Sequence, residues 1–297
     1  MNLKKWMAPL MAIVVLVSGA VAILSYLSED PVAQSLVISE VSGDVSVAGR
    51  EGSSATVGVG ALLEPDQRLI TGPASRAVLS LGEDTRIRLG SDSTVQVRGH
   101  DSTAVTLELE DGALQATVRP GSSALRVGSR GRQILATDAT FDMGVGPDGT
   151  LVVEMSEGSA VTSGFEGMNG PLAQGSRTTV SPDGQASVTP ISEELLLAVQ
   201  WPTERRTKEK VTQVTGTTVP GAQVNIYAGE RLIQVIADHH GIFQASLPLE
   251  EGENPLRVEA TDPLGREATV SGWTVELDHQ GPTFRGGVDY EKGAAPL

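Results

Sequence analysis

The chain has 297 residues, of which 39% are hydrophobic, 3% are aromatic and none is cysteine, and its formal net charge is −15. A chain this acidic lacks the basic stripe that a phosphate backbone requires, which excludes nucleic acid as a partner. The absence of cysteine excludes disulfides, thiolate catalysis, zinc-thiolate sites and a lipid-carrying cysteine. The length suits about two domains. With 34 glycines, 16 prolines and few aromatics, the composition predicts an all-β fold with aliphatic cores.

The N-terminal region predicts a transmembrane anchor. Residues 6–28 contain no charged side chain and are long enough to cross a bilayer as a helix. Lys4 and Lys5 make residues 1–5 a cytoplasmic stub by the positive-inside bias, so we expect a single-pass protein of the bacterial inner membrane whose bulk is periplasmic. Ala20-Val21-Ala22 has the small-x-small pattern of a signal-peptidase site, so cleavage is the alternative. The side chains expected to anchor the segment are Trp6, Leu16, Leu24 and Tyr26.

Alternating strands follow in the centre of the chain. Ala77, Leu79 and Leu81 fall on one face of an extended segment, which is the period of two of a half-buried strand. Residues 87–89 repeat the alternation. Gly82-Glu83-Asp84 lies between the two runs and tolerates the backbone angles of a tight reversal, so it predicts a hairpin.

Further turn signals divide the next hundred residues. Asp111-Gly112 separates alternating runs at residues 105–110 and 114–118, and Asp-Gly in this position predicts a hairpin. The same rule yields about fifteen short strands, whose spacing suits a sandwich, a barrel or a short β-solenoid. The other predicted turns of this kind are Pro147-Asp148-Gly149, Glu157-Gly158 and Pro182-Asp183-Gly184.

Several motifs occur in order along residues 35–190. They are Gly43-Asp44-Val45, Val57-Gly58, Asp66, Thr71-Gly72, Ile87-Arg88-Leu89-Gly90 with Ser93, Leu109 to Val118, and Ala139-Thr140-Phe141. In this order they resemble the periplasmic FecR domain. The resemblance implies a multi-stranded β domain, β-helix-like or sandwich-like. Asp138-Ala139-Thr140 departs from the Gly-Thr that the family usually has before the phenylalanine.

A second β unit is expected at residues 211–278, after a linker at residues 191–210 in which Ser192 is a candidate helix cap. Six strands suit a small sandwich there. Its motifs are Pro220-Gly221-Ala222-Gln223-Val224, Asp238-His239-His240-Gly241-Ile242-Phe243, Leu249 to Asn254, and Ala260-Thr261-Asp262-Pro263-Leu264-Gly265. They resemble bacterial Ig-like repeats, which implies an adhesive or spacer module without chemistry of its own. Residues 279–297 are expected to be a flexible tail.

The residues that could carry chemistry do not form a recognisable site. His239 and His240 are adjacent, and in an extended chain they would point in opposite directions, while His100 and His279 have no partner at metal-ligand spacing. The other candidates have simpler interpretations: Asp238 and Asp262 as turn residues, and Glu193-Glu194 and Glu250-Glu251 as solvated pairs. We therefore expect no catalytic residue, metal or cofactor and no small-molecule substrate.

Two non-enzymatic functions remain. The first is a membrane-anchored periplasmic module of the envelope that binds a protein or peptidoglycan. The alternative is a FecR-like regulator in transmembrane signalling. Such regulators resemble one another in a cytoplasmic domain before the membrane segment, whereas only residues 1–5 precede it here. The alternative would therefore act through a partner protein rather than by capturing a sigma factor. A glycan hydrolase is a third class, and it would need two carboxylates about 5–10 Å apart in a cleft.

Overall fold

The computed structural model describes residues 35–49, 54–100, 103–168 and 170–278. These residues form twenty-three β-strands and no helix, which confirms the predicted all-β class. In this part of the chain no helix is long and apolar enough to cross a membrane. The predicted anchor at residues 6–28 and the predicted tail at residues 279–297 lie outside the described residues.

The first unit is a single sheet of fifteen strands. Its longest path runs β15-β14-β12-β11-β10-β9-β7-β6-β1-β4, with β2, β3, β5, β8 and β13 joined at its sides. The strands are β1 (Leu36–Ser42), β2 (Val45–Ala48), β3 (Ser54–Thr56), β4 (Leu62–Leu63), β5 (Arg68–Thr71), β6 (Arg76–Leu81), β7 (Thr85–Leu89), β8 (Thr94–His100), β9 (Ala104–Val118), β10 (Ala124–Ser129), β11 (Arg132–Val145), β12 (Leu151–Ser163), β13 (Leu172–Ala173), β14 (Ser176–Val180) and β15 (Ala186–Pro190).

The pairing in this sheet is mainly antiparallel. Among the described strands β9 and β10 form a parallel ladder, and the other ladders of the sheet are antiparallel. A β-helix stacks parallel strands, so this pairing differs from the β-helix-like form. Tight turns favour this pairing because they join antiparallel neighbours, whereas β10 pairs in parallel with the first half of β9 after the second half of β9 has intervened.

Three of the predicted turns are hairpins as expected. β6 and β7 pair on either side of residues 82–84. At the turn of residues 147–149 the amide of Gly149 donates to the carbonyl oxygen of Gly146 over 2.8 Å, and at residues 182–184 that of Gly184 donates to Ser181 over 2.9 Å.

The hairpin predicted at Asp111-Gly112 is wrong, because β9 runs through it as one strand. The first half of β9 pairs with β8 and β10, and its second half pairs with β7 and β11. The register against β8 shifts beside Asp111. Gly112 has φ +81°, and a Cβ there would lie 2.3 Å from Ser93 Oγ. Asp-Gly therefore forms a bulge that bends the strand where it changes partners.

The turn predicted at Glu157-Gly158 is wrong for the same reason. β12 is continuous, and its register against β11 shifts between Thr140 and Phe141. Gly158 has φ +71°, and a Cβ there would lie 2.1 Å from the carbonyl oxygen of Asp138. Long bent strands thus replace pairs of short ones at β9 and β12.

The inner face of this sheet encloses an aliphatic core. Its largest fully buried members include Ile38, Leu69, Leu79, Ile87 and Leu107. Each such side chain contributes about 1.5–3 kcal/mol to folding when it leaves water. Phe141 and Phe165 also belong to the core cluster.

The second unit consists of two sheets around a separate core. One sheet has the order β16-β18-β21 and the other β17-β23-β22-β19-β20. Both contribute to the same buried cluster, for example Val214 and Phe243 from the first and Ile226 and Val258 from the second, which is sandwich packing. The strands are β16 (Ala198–Gln200), β17 (Arg206–Thr207), β18 (Val211–Thr217), β19 (Gln223–Ala228), β20 (Arg231–Ile236), β21 (Ile242–Pro248), β22 (Gly252–Thr261) and β23 (Glu267–Leu277).

Two of these strands lie in the range predicted as a linker. β16 pairs with β18, and β17 pairs in parallel with β23. The helical turn predicted after Ser192 is absent from the structure, since residues 191–197 contain neither helix nor strand. Leu195 and Leu197 instead pack against the core of the second unit, so the apolar residues that suggested a helix serve an extended segment.

Candidate functional site at the interface of the two units

A row of polar side chains crosses the outer face of the first unit. Residues directly opposite each other on antiparallel strands project to the same face, and the register places one such residue on each of β7, β9, β11, β12 and β14. At one end Arg88 Nη1 donates to Gln115 Oε1 over 2.9 Å, and Gln115 Nε2 donates to Asp142 Oδ1 over 3.1 Å. The row consists of Arg88, Gln115, Asp142, Glu154 and Arg177.

The other end of the row is a buried ion pair. Arg177 Nη1 on β14 donates to Glu154 Oε1 on β12 over 2.7 Å. The side chains are 6% and 8% exposed, respectively. Charges removed from water in this way need partners that replace their hydration, because the desolvation penalty is several kcal/mol per ion. One guanidinium and one carboxylate satisfy each other only in part, so further partners are expected.

The second unit supplies those partners through the turn between β22 and β23. Asp262 Oδ1 accepts hydrogen bonds from the amides of Leu264 and Arg266, at 3.0 and 2.8 Å, and so holds the turn in shape. Asp262 Oδ2 accepts a hydrogen bond from Arg177 Nη1 across the interface over 3.3 Å. The prediction of Asp262 as a turn residue is confirmed, and the structure adds an ion pair that joins the two units.

Arg266 completes this arrangement, which we call the interface network (Glu154, Arg177, Asp262 and Arg266). Its Nη2 lies 2.7 Å from Asp262 Oδ2 and 2.9 Å from Glu154 Oε1. Its Nη1 donates to the carbonyl oxygen of Ser192 over 2.7 Å. Two guanidiniums therefore share two carboxylates, and each unit contributes one residue of each sign, so three of the four ion pairs of the full network join residues of the second unit to each other or to the first unit.

Burial and charge act in opposite directions on the pKa of Arg266. Burial alone would lower it, but the hydrogen bonds and charges of Asp262, together with Glu154, outweigh burial and raise the pKa above its ordinary value. The pKa of Asp142 is raised, first by burial and then by the charge of Glu154, against the hydrogen bond from Gln115 and the charge of Arg266.

Close backbone contact surrounds the interface network. A Cβ at Gly144 would lie 2.0 Å from the carbonyl oxygen of Pro263, and one at Gly146 would lie 2.9 Å from that of Gly221. Val152, on the same face as Glu154, is fully buried. Glycine at these positions lets the turn of the second unit rest directly on strand β11, so the polar contacts lie in a water-poor setting.

A cleft of about 590 Å³ opens beside this contact. Both units line it, and its acidic lining residues include Asp92, Asp111 and Glu267. Among the described residues no group of three or more histidine, cysteine or acidic side chains is placed to hold a metal ion.

The other residues considered for chemistry serve local structure. Asp238 Oδ1 accepts from the amides of His240 and Ile242, at 2.9 and 2.8 Å, which confirms a turn role. His239 and His240 lie in that turn rather than in an extended chain, and their ring centroids are 3.9 Å apart instead of on opposite sides. Glu250 forms a solvated ion pair with Arg231 at 3.0 Å. The anchor residues Trp6, Leu16, Leu24 and Tyr26 lie outside the described residues.

One feature of the sequence, a single charged residue in an apolar run, indicates the interface network. Glu154 is the one charged residue in the apolar run 151–155, and both faces of that strand are buried. A glutamate in such a run requires a buried cationic partner. Its identity could not be read from the chain, because Arg177 and Arg266 are 23 and 112 residues away.

The molecule is therefore a two-unit all-β protein whose most buried charged groups join its units. Residues 67–161 match the family described as FecR protein, and residues 198–276 match the bacterial Ig domain family. The chain thus carries a FecR domain followed by a bacterial Ig domain. The second match begins at β16, inside the range predicted as a linker.

Similarity to whole proteins is weaker. No curated protein matches the chain. Two crystal structures of a candidate anti-sigma factor from Parabacteroides distasonis match with 14% and 13% identity and a TM-score of 0.37. Each match covers 41% of this chain and 59% of the other.

Proposed function

We propose that this chain is a non-enzymatic regulator in transmembrane signalling and that it acts through a partner protein. The match of residues 67–161 to the FecR family carries the proposal. The interface network agrees with the non-enzymatic part of the proposal, because the buried carboxylates of Glu154 and Asp262 are paired with guanidiniums and hold two units together. A carboxylate engaged in this way is a poor general acid or base.

The proposal includes a location. Residues 6–28 would anchor the chain in the inner membrane, with residues 1–5 in the cytoplasm and both β units in the periplasm. The uncharged length of that segment and the lysines before it support this arrangement. A periplasmic body on a single anchor can reach a second membrane protein or the periplasmic side of an outer-membrane receptor.

A second candidate function is an envelope binding module for a protein or for peptidoglycan. The match to the bacterial Ig domain favours it. β20 is an edge strand of the second unit, and its Leu232 and Ile236 are 51% and 38% exposed. An exposed edge strand is a template for pairing with an extended segment of another chain.

Crosslinking in the intact envelope separates the two functions. A photo-crosslinking residue replaces Leu232 in one version of the full chain and exposed Val161 in a matched control, and mass spectrometry identifies the crosslinked material. A membrane regulator or an outer-membrane receptor supports signalling. Crosslinks to peptidoglycan or to structural envelope proteins support the binding module, and sugar release from sacculi by the purified chain would overturn both.

A further inference from the structure

The described structure begins with β1, the strand of the first unit that is nearest in sequence to the proposed anchor. β1 starts at Leu36, and eight residue steps separate it from the last uncharged residue of the segment 6–28. Eight extended residues span at most about 28 Å. The start of β1 is therefore held close to the bilayer by the chain itself, if the anchor is as proposed.

Strand β4 and the exposed apolar loop before it lie against this start of β1. Leu36 and Val37 of β1 pair with Leu63 and Leu62 of β4. The preceding loop is hydrogen-bonded to β1 as well: the amide of Ile38 donates to the carbonyl oxygen of Ala61 over 2.9 Å, and Gly60 donates to Ile38 over 2.8 Å. The loop is thus fixed to the same end of the sheet as the incoming chain.

The side chains of this loop suit a lipid surface. Val59 is 67% exposed and Leu62 is 59% exposed, which places them among the most exposed large apolar residues of the described chain. Residues 54–63 carry no charge. Gly58 and Gly60 have no atom within 4 Å of a hypothetical Cβ, so space is open beside both glycines. Exposed apolar side chains in one short uncharged segment indicate a surface that is covered in use.

We propose that residues 57–62, which comprise the loop before β4 and Leu62 of β4 and which we call the membrane-facing loop, insert Val59 and Leu62 into the interfacial region of the bilayer that carries the anchor. Two aliphatic side chains are too few to recruit a free protein, since even a single myristoyl chain binds marginally. A tether of a few residues changes this, because it holds the loop at an effective concentration near the millimolar range. The contact would fix the orientation of the first unit above the membrane.

This inference rests on the proposed anchor, and the absence of cysteine from the chain makes it testable. The full chain carries one cysteine in place of Val59 or Leu62, is labelled with an environment-sensitive fluorophore, and is reconstituted into phosphatidylethanolamine and phosphatidylglycerol vesicles. Nitroxide lipids serve as quenchers. Matched controls place the cysteine at Val188 or Leu232, which are also apolar and 55% and 51% exposed.

We expect nitroxide lipids to quench the labels at Val59 and Leu62 at least threefold and to leave the controls unchanged. Flotation of the same vesicles reports on the anchor separately. A chain that floats with the vesicles but shows equal, water-like signals at all four positions would overturn the loop contact and leave the anchor intact. A chain that does not float would overturn the anchor and the contact together.

Discussion

Asp262 on the β22–β23 turn and Arg177 on β14 are 85 residues apart in sequence and form an ion pair of 3.3 Å, with side chains 0% and 6% exposed. The pair crosses from the bacterial Ig unit to the sheet of the FecR-like unit. Because both groups have left water, their partners must stay in place for the charges to be tolerated. The two units are therefore expected to behave as one body.

Removing the arginine at the centre of the interface network should be costly. Arg177→Met keeps an unbranched apolar stem but removes the guanidinium, and so leaves Glu154 and Asp262 to share Arg266. We expect a loss of about 3–5 kcal/mol in the free energy of unfolding, measured by urea denaturation. Arg231→Met is the matched control, since its ion pair with Glu250 is 49% and 60% exposed and should contribute less than about 1 kcal/mol. Equal effects of the two substitutions would contradict the importance of burial.

The close contact between the units should not tolerate a methyl group. Gly144→Ala would place a Cβ 2.0 Å from the Pro263 carbonyl oxygen, and we expect a loss of about 1–3 kcal/mol because the turn must shift. Small-angle scattering should show a larger radius of gyration as the units separate. The control Gly49→Ala meets no atom within 4 Å, and an equal change in that variant would refute the contact argument.

The bulge in β9 should depend on glycine at position 112. Gly112→Ala combines an unfavourable φ of +81° with a contact of 2.3 Å to Ser93 Oγ, and a loss of about 3 kcal/mol or more is expected. Gly229→Ala separates the two causes, because its φ is +59° but nothing lies within 4 Å; it should lose only about 1 kcal/mol. Thermal unfolding of both variants measures the difference in stability. Similar losses of stability would contradict a specific requirement for glycine at the bulge of β9.

Asp142 should make the interface pH-dependent. Its pKa is raised in the folded state, first by burial, so its contribution to stability is fully present below the unfolded pKa and is lost as the pH rises through the folded pKa. Asp142→Asn should therefore be more stable than the unchanged chain at pH 8, with an advantage that shrinks towards pH 4. Urea unfolding at both pH values measures this difference, and an advantage that does not vary with pH would contradict it.

A control of opposite sign is available at Asp183. The hydrogen bond from Ser181 lowers the pKa of that carboxyl, so its contribution is present above the unfolded pKa and is lost as the pH falls through the folded pKa. Asp183→Asn should accordingly be less stable than the unchanged chain at pH 8 and should approach it in acid. Parallel profiles for the two variants would show that the effect at Asp142 is not specific to the interface.

Local patterns in the sequence were sufficient for the strands and for many of the turns. The alternation at Ala77, Leu79 and Leu81 predicted β6 correctly, because these three residues form a buried face of that strand. Asp111-Gly112 misled because a glycine with positive φ serves a bulge as readily as a hairpin, and only the partner strands distinguish the two. The sandwich predicted for the second unit did not depend on distinguishing bulges from hairpins, because its turns reverse the chain between separate strands.

The interface network could not be assembled from the sequence. Arg177 and Asp262 each look ordinary in their own segments, one in a polar strand and one in a turn. Their meeting depends on how the second unit rests on the outer face of the first, which is a long-range packing property. Only Glu154 was unusual for its own segment, as a charged residue in an apolar run. It indicated a buried cationic partner but not which residue that partner is.

We expect the interface network to make the two units one rigid body. A distance measurement between spin labels on cysteines replacing Val188 and Leu232, one on each unit and both exposed, tests it directly in a chain that has no other cysteine. We expect one narrow distance distribution in the otherwise unchanged chain and a broad one when Arg177→Met is added. A broad distribution in the chain with the intact network would contradict the claim.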